Sequence, residues 1–385
     1  MHIMVIPSWY SSPRNKVHGS FFKEQFKALS NSGEKITVAY NEIWPITLIG
    51  KTHEKRKINF NIEEGLRTYR YKDFNYFPKN PIMFKSFNKR MEKLYKEIVR
   101  KEGKVDIIHA HSAMWGAIAA SYISEKYNIP LVITEHSSLE YAKYLKESYK
   151  KYIYEAYEKA ACLIAVGNGL KTELNQYIDR DIKVIHNMVD LSLFNINDKM
   201  KEDKVEFKFF SCAFLEEGKG MELLLKAFKE AFKGQNVTLN IGGDGSLKPL
   251  LEKIIIDLEM KSQINLLGAL SREEVAYEMK NCDVFVLPSE HETFGVVYIE
   301  ALACGKPVIG AKNGGAEDII KEDNGLIIEK NNKEELVFAL KNIKKNYYKY
   351  NKDNIRKNAV FNYSEKVLVK NLKGVYKKVY EGSTR

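Results

Sequence analysis

Leu287-Pro-Ser-Glu-His-Glu-Thr-Phe-Gly-Val-Val-Tyr-Ile-Glu-Ala-Leu-Ala-Cys-Gly305 follows directly on Val284-Phe-Val-Leu287, a short apolar run that reads as a buried strand. Thr293-Phe-Gly then opens a helix, Val296-Val-Tyr-Ile-Glu-Ala-Leu-Ala-Cys, which Gly305 and Pro307 stop. Two carboxylates, Glu292 and Glu300, have seven residues between them. The first stands at the helix mouth and the second inside the helix. The amides of Phe294, Gly295, Val296 and Val297 are the donors a helix start leaves free, and the helix dipole favours an anion there. Glu300 lies about 7–8 Å further along the axis, with its side chain leaning back toward the mouth. A phosphate at the mouth and a diol near Glu300 fit that spacing.

Outward from this stretch, β-loop-α units fill both halves of the chain. His2-Ile-Met-Val-Ile6 is a strand, Pro7 to Gly19 a loop, and Phe21 to Ser32 a helix that Ser20 can cap. Gly33 stops it and Ile36-Thr-Val-Ala-Tyr40 is the next strand. Residues 41–81 read as irregular and aromatic. Ile82 to Glu102 spaces Phe84, Phe87, Met91, Leu94 and Ile98 as an amphipathic helix does, with Lys85, Lys89, Arg90, Lys93, Lys96, Arg100 and Lys101 on its other face. Asp106-Ile-Ile-His-Ala-His111 and Pro130-Leu-Val-Ile-Thr-Glu-His136 are strands that put His109, His111 and His136 near their carboxyl ends, where parallel sheets bind ligands. A helix over 115–127 lies between them. Ala161–Val166 and Ile182–Ile185 close this half, and polar, lysine-rich Asn195 to Asp203 reads as a linker.

The pattern then restarts. Phe207–Ala213 is a strand, Leu215-Glu-Glu-Gly-Lys-Gly220 a loop and Met221–Phe232 a helix. Val237–Ile241 leads to Gly242-Gly-Asp-Gly245, and Ile264–Leu267 ends at Gly268. Beyond the opening stretch lie Pro307–Gly310, the turn Asn313-Gly-Gly315 and Asn324–Ile328. Lys219, basic and beside glycines near a helix start, suits a diphosphate. The expected architecture is α/β, two doubly wound parallel-sheet domains over residues 1–195 and 196–365, with a C-terminal helix from about 366 to 385 packing back on the first.

Composition excludes several classes. With 44% hydrophobic and 29% charged residues the chain is of ordinary globular composition, and it has no apolar run long enough for a membrane span. Pro7 arrives too early for a signal peptide, so a cytoplasmic protein is expected. Its four cysteines, Cys162, Cys212, Cys282 and Cys304, sit in apolar settings without paired spacing and read as reduced core thiols. The dinucleotide glycine fingerprint is absent, and no zinc-type spacing accompanies the histidines. Residues 1–195 hold 30 Lys+Arg against 21 Asp+Glu, whereas the rest hold 31 against 29. The basic excess therefore belongs to the first half. Such a half suits an anionic membrane surface, nucleic acid or a phosphorylated acceptor, or is simply a solvated basic face; no nucleic-acid recognition motif accompanies it.

The collinear pieces resemble family 4 of the retaining glycosyltransferases, the group 1 enzymes of GT-B fold. Besides the glutamate pair with Phe294-Gly295, they are Gly19, Asp106–His111, Thr134-Glu-His136, Val184-Ile-His-Asn187 with Val189-Asp190, Lys219-Gly220, Gly242-Gly-Asp-Gly245, Gly268 and Gly314-Gly315. The resemblance implies a nucleotide-sugar donor, UDP-linked above GDP-linked, held across a cleft between the domains without a metal or other cofactor. Glu300 then grips the ribose diol. Glu292, with the amides of Phe294 to Val297, holds the donor sugar and distal phosphate. Lys219 faces the diphosphate, Gly19 brings backbone near the phosphates, Leu270 meets the base through its main chain, and His136 lies beside the sugar. His136, Glu292 and Lys219 are the catalytic candidates; His109 and His111 are candidates for the acceptor side. The implied acceptor is a glycan or lipid-linked glycan. Front-face attack is the expected mechanism, with a double displacement through Glu292 as its rival. One departure stands out: Ala213-Phe214-Leu215 aligns where many members carry Gly-Arg-Leu, so one cation of the phosphate clamp is absent or comes from elsewhere. A catalytically silent GT-B subunit that binds glycan or a partner protein is the alternative this departure raises.

Overall fold

A computed structural model describes residues 1–12, 19–52, 54–142, 145–196 and 206–383. The expected linker Asn195–Asp203 lies almost wholly outside these residues, as do residues 13–18 of the loop before Gly19. The chain forms two compact units. Unit 1 comprises Met1–Val166, Leu170–Ile185 and the residues from Leu368 onward; unit 2 comprises Gly167–Gly169 and His186–Val367. By packing, the main division falls after Ile185.

Unit 1 runs β1 (His2–Pro7), α1 (Ser20–Asn31), β2 (Lys35–Pro45), β3 (Ile58–Glu63), β4 (Leu66–Asn75), α2 (Ile82–Glu102), β5 (Ile107–His111), α3 (Ile118–Tyr127), β6 (Leu131–Glu135), α4 (Glu147–Lys159), β7 (Cys162–Ala165), α5 (Asn168–Leu174) and β8 (Ile182–Val184). Its eight strands are ordered β3-β4-β2-β1-β5-β6-β7-β8, parallel throughout except for the antiparallel pair β3–β4. Strands β1, β5, β6 and β7 are buried along their whole length, as a sheet covered on both faces demands. The hairpin β3–β4 corrects the expectation of irregular chain over 41–81. It turns on Glu64 and Gly65, both at positive φ (50° and 86°), as a two-residue primed turn requires.

Two local expectations change as well. The N-cap of α1 is Gly19 at φ 74°, not Ser20, and among the described residues no side chain caps the helix. The segment 113–117 is irregular, with Trp115 at φ 75°, and regular helix begins only at Ile118.

Unit 2 runs β9 (Phe207–Cys212), α6 (Met221–Phe232), β10 (Val237–Gly242), α7 (Lys248–Asp257), β11 (Ile264–Gly268), α8 (Arg272–Asn281), β12 (Val284–Leu287), α9 (Val296–Ala303), β13 (Val308–Ala311), α10 (Ala316–Ile319), β14 (Gly325–Ile328), α11 (Lys333–Lys345) and α12 (Lys352–Tyr363). Its all-parallel order is β11-β10-β9-β12-β13-β14. The winding reverses between β9 and β12, and the crevice beyond the carboxyl ends of those two strands is where such a sheet binds its ligand. The helix α13 (Glu365–Ser383) begins in unit 2 and continues into unit 1, where Tyr376 is fully buried and Lys373 pairs with Glu34 at 3.1 Å.

Candidate active site

The loops that follow β9 and β12 carry Lys219 and Glu292, and local backbone geometry brings the two together. Gly220, at φ 70°, caps α6 and packs so tightly that a Cβ there would sit 2.2 Å from the Pro288 carbonyl oxygen. The Glu290 amide donates to the Gly218 carbonyl over 2.8 Å. Only glycine meets both demands at residue 220, the left-handed backbone and the missing side chain. With the loops joined in this way, Lys219 Nζ donates to Glu292 Oε1 at 2.7 Å, both side chains being partly exposed. From the other side, the Glu292 amide donates to the Asn313 carbonyl. Asn313 in turn accepts from Gly315 and Ala316 and donates to the Ser289 carbonyl, so the turn Asn313–Gly315 supports the loop from beneath.

Gly295 takes φ 90° at the mouth of α9. The side chain of Phe294 is buried, stacked on His186 at 5.2 Å and edge-on to Tyr363 at 5.8 Å. Its backbone is what remains for a ligand. Val296 and Val297 are half-buried in the first turn, while the Tyr298 amide is already taken by the Gly295 carbonyl. Tyr298 closes the loop from within, its hydroxyl donating to the Leu287 carbonyl at 2.7 Å.

One turn further in, Glu300 is 1% exposed and accepts from Arg272 Nη1 at 2.6 Å through Oε1; among the described residues Oε2 has no hydrogen-bond partner. Burial raises the Glu300 carboxyl above the ordinary carboxylate value, while the Arg272 guanidinium pulls it back. Leu270 leads into Arg272 and packs over Gly242, whose missing Cβ would lie 2.5 Å from Leu270 Cδ1. Arg272 itself was not anticipated; Ser271 followed by Glu274 signalled a helix start but not the pairing across to α9. Phe214, where a cation was expected, points into solvent at 63% exposure.

The three histidines of unit 1 are placed differently from the expectation. None stands exposed at a strand end. His109 is fully buried, with Nδ1 2.7 Å from the Tyr376 hydroxyl and Nε2 2.8 Å from Thr134 Oγ1. His111 is equally buried, with Nδ1 3.1 Å from His136 Nε2. Phe22 lies against His111 and His136, and Phe26 against His111. Burial holds His109 and His136 down to about 3, and His111 well below its usual value, so all three are neutral near neutral pH. His109 is therefore a core residue with both nitrogens engaged. His136, beside Phe21 at 5.4 Å, is the most exposed of the three but still only 8% exposed. Gly19 sits where a Cβ would meet the Trp9 carbonyl oxygen at 2.9 Å. Among the described residues, no three of His, Cys, Asp and Glu gather as a metal site would need, and no helix is long and apolar enough to cross a membrane.

Comparison with known proteins bears on family and fold. The model of the group 1 glycosyl transferases matches residues 194–360, and that of glycosyltransferase family 4 matches residues 46–193. An uncharacterized glycosyltransferase of Methanocaldococcus jannaschii is 32% identical over 63% of this chain and 66% of its own. A Bacillus subtilis glycosyltransferase named for teichuronic acid biosynthesis is 27% identical over 88% of both chains. The alpha-monoglucosyldiacylglycerol synthase of Acholeplasma laidlawii is 28% identical over 67% of this chain and 71% of its own. Among solved structures, HepE of Anabaena in complex with UDP superposes with a TM-score of 0.77 at 19% identity, covering 98% of this chain and all of that one. Sucrose-phosphate synthase of Thermosynechococcus elongatus gives 0.77 at 16% identity, covering 99% of this chain and all of that one. Both show the GT-B arrangement of two Rossmann-like parallel-sheet domains.

Proposed function

The chain belongs to the group 1 glycosyl transferases of family 4, and from that premise we propose that it moves a sugar, with retention at the anomeric carbon, from a UDP-sugar to a glycan or lipid-linked glycan in the synthesis of a cell-surface polysaccharide or glycoconjugate. The observation that carries the donor half is the meeting of Lys219, Glu292, the α9 mouth and Glu300 beyond the carboxyl ends of β9 and β12. HepE, of the same fold, was solved with UDP and with UDP-glucose. The acceptor class rests on the relatives named for teichuronic acid and for a glucosylated diacylglycerol.

In this reading Glu300 takes the ribose diol. The first-turn amides of α9 take the distal phosphate, and Lys219 neutralises the charge that builds on the leaving diphosphate. The bond from the anomeric carbon to phosphate oxygen breaks and a bond to the acceptor oxygen forms on the same face. The acceptor proton passes to the departing phosphate oxygen. Glu292 keeps Lys219 and the donor sugar in place. Its pairing with Lys219 favours this front-face route over one with Glu292 as nucleophile, because a carboxylate bound to a cation is a poorer nucleophile. Lys219 and the helix dipole supply the positive charge, so no metal is required; chelator should leave the rate unchanged.

A donor hydrolysis and nucleotide titration series with UDP- and GDP-sugars tests the reading. UDP-sugar turnover with an α-configured product supports it. No turnover and no nucleotide binding would leave the silent-subunit alternative standing.

A second observation favours an anionic membrane as the place of work, at its cytoplasmic face. On α2, Arg90 does not join the outer basic face: it is buried and bonded to Asp73 and to the Phe74 carbonyl. Lys96, Arg100 and Lys101 pair with Glu92 and Glu97. Lys85 and Lys89 remain exposed beside the N-terminal end of α2, where Phe77 and Ile82 are 47% and 49% exposed. Lys146, at the head of α4, donates to the Lys79 carbonyl and adds to the same patch. Cations around exposed apolar side chains suit a headgroup layer.

A further inference from the structure

We propose that Arg272 is a positioning residue of the donor site: it holds Glu300 as an anion through one oxygen, so that the other is left as the acceptor for both hydroxyls of a nucleotide ribose. The inference rests on the reading of Glu300 as the diol-binding glutamate and adds to it a residue that acts through Glu300.

The placement of Arg272 has no reason in its own helix. It is the first residue of α8, where a cation opposes the helix dipole. The backbone there is nonetheless fixed with care. Ser271 caps the helix, accepting from the Glu274 amide at 3.2 Å, while Glu274 Oε2 accepts from the Ser271 amide at 2.7 Å. The guanidinium lies over the ring of the fully buried Phe194, 4.9 Å from its centroid. Phe194 is itself tied down, its amide donating to the Asp190 carbonyl and its carbonyl accepting from Arg356 at 3.1 Å. A capping box and an aromatic platform thus hold Arg272 before any ligand arrives.

Glu300 shows why this matters. A carboxylate that is 1% exposed should have every oxygen satisfied, yet among the described residues Oε2 has no partner. The other groups facing it give no help: Asp190 is a like charge, and the thiols of half-buried Cys212 and buried Cys304 are pushed up to about 12, so they stay neutral. Arg272 is the cation that opposes the rise burial imposes on this carboxyl. Of the two Glu300 oxygens its bond is to Oε1, and a pair of vicinal hydroxyls is the ligand that an unpaired carboxylate oxygen in a nucleotide site accepts best.

The test is a binding cycle on the full-length chain. UDP and GDP are titrated against wild type, and the tighter of the two is compared with its 2′,3′-dideoxy form in wild type, Arg272→Met and Arg272→Lys, with melting curves to establish that each variant is folded. In wild type the diol should be worth about 10- to 100-fold in affinity, the measure of hydrogen bonds to a charged group. In Arg272→Met the ratio should collapse toward one because only the ribonucleotide weakens, and it should recover as pH rises and Glu300 ionises unaided. Arg272→Lys should keep part of it. Equal weakening of ribo and dideoxy forms would overturn the proposal and make Arg272 a direct phosphate ligand. Nucleotide binding in wild type with a ratio near one would sink this inference alone. Absence of all nucleotide binding would sink it together with the donor-site reading.

Discussion

Lys219 Nζ and Glu292 Oε1 lie 2.7 Å apart although 73 residues separate them in sequence. The pair bridges the two loops at the point where the sheet of unit 2 reverses its winding. Both partners are partly exposed, so the pair adds little to stability, within about 1 kcal/mol. Its value lies in where it puts a cation.

Lys219→Ala should therefore separate catalysis from folding. Removing one preorganised donor to a developing charge typically costs about 10²–10³ in rate. The melting temperature should barely move. Steady-state kinetics beside a thermal melt would check this, and a drop of less than tenfold in kcat would remove Lys219 from the mechanism.

Phe214→Arg probes the missing cation of the clamp. The ring is exposed and its replacement disturbs no core. Nucleoside diphosphate should bind several-fold more tightly, about 1 kcal/mol, with the gain fading at high salt. Calorimetry at low and high ionic strength reads both effects.

The buried histidines make unit 1 sensitive to acid. Folded, His109 and His136 titrate near 3, below the ordinary 6.5, and His111 lower still. The unfolded chain takes up protons below about 6.5 while the folded chain refuses them. The stability they contribute is fully present above that pH and is lost as pH falls toward the folded values. Each should cost about 2 kcal/mol between pH 7 and 5. Urea denaturation at several pH values would measure the slope, and His109→Gln should lower it by about a third. An unchanged slope would mean that the cluster is protonated in the folded chain.

Lys85→Glu with Lys89→Glu should abolish retention on anionic vesicles and leave donor hydrolysis in solution unchanged. Sedimentation with phosphatidylglycerol and phosphatidylcholine vesicles, each at two salt concentrations, decides the point. Equal retention on both lipids would end the membrane reading.

Much of this was legible in the sequence because it is local. Glu292, Phe294-Gly295 and Glu300 sit on one strand-loop-helix unit, and the boundaries of α2 and α6 follow from their apolar spacing. The hairpin β3–β4 was equally written there, in the alternation of Ile58, Phe60 and Ile62 ahead of Glu64-Gly65, but the density of aromatic residues around it hid the period. What local pattern does not carry is the partner. Arg90 belongs to the polar face of α2 by spacing, yet Asp73 on β4 draws it inward. Strand-end histidines look available until Phe22 and Phe26 of α1 cover them. Arg272 and Glu300 are 28 residues apart, and nothing in either segment announces the other.

Neither unit is a single stretch of chain. The backbone passes from one to the other after Val166, returns at Leu170, leaves again after Ile185 and comes back at Leu368. A fragment ending at residue 185 would keep every strand of the first sheet and lose Tyr376, and with it the hydroxyl on His109 Nδ1, exposing a groove where α13 had been. The two halves can be told apart but not cut apart: the last helix makes the integrity of the first sheet depend on synthesis of the whole chain.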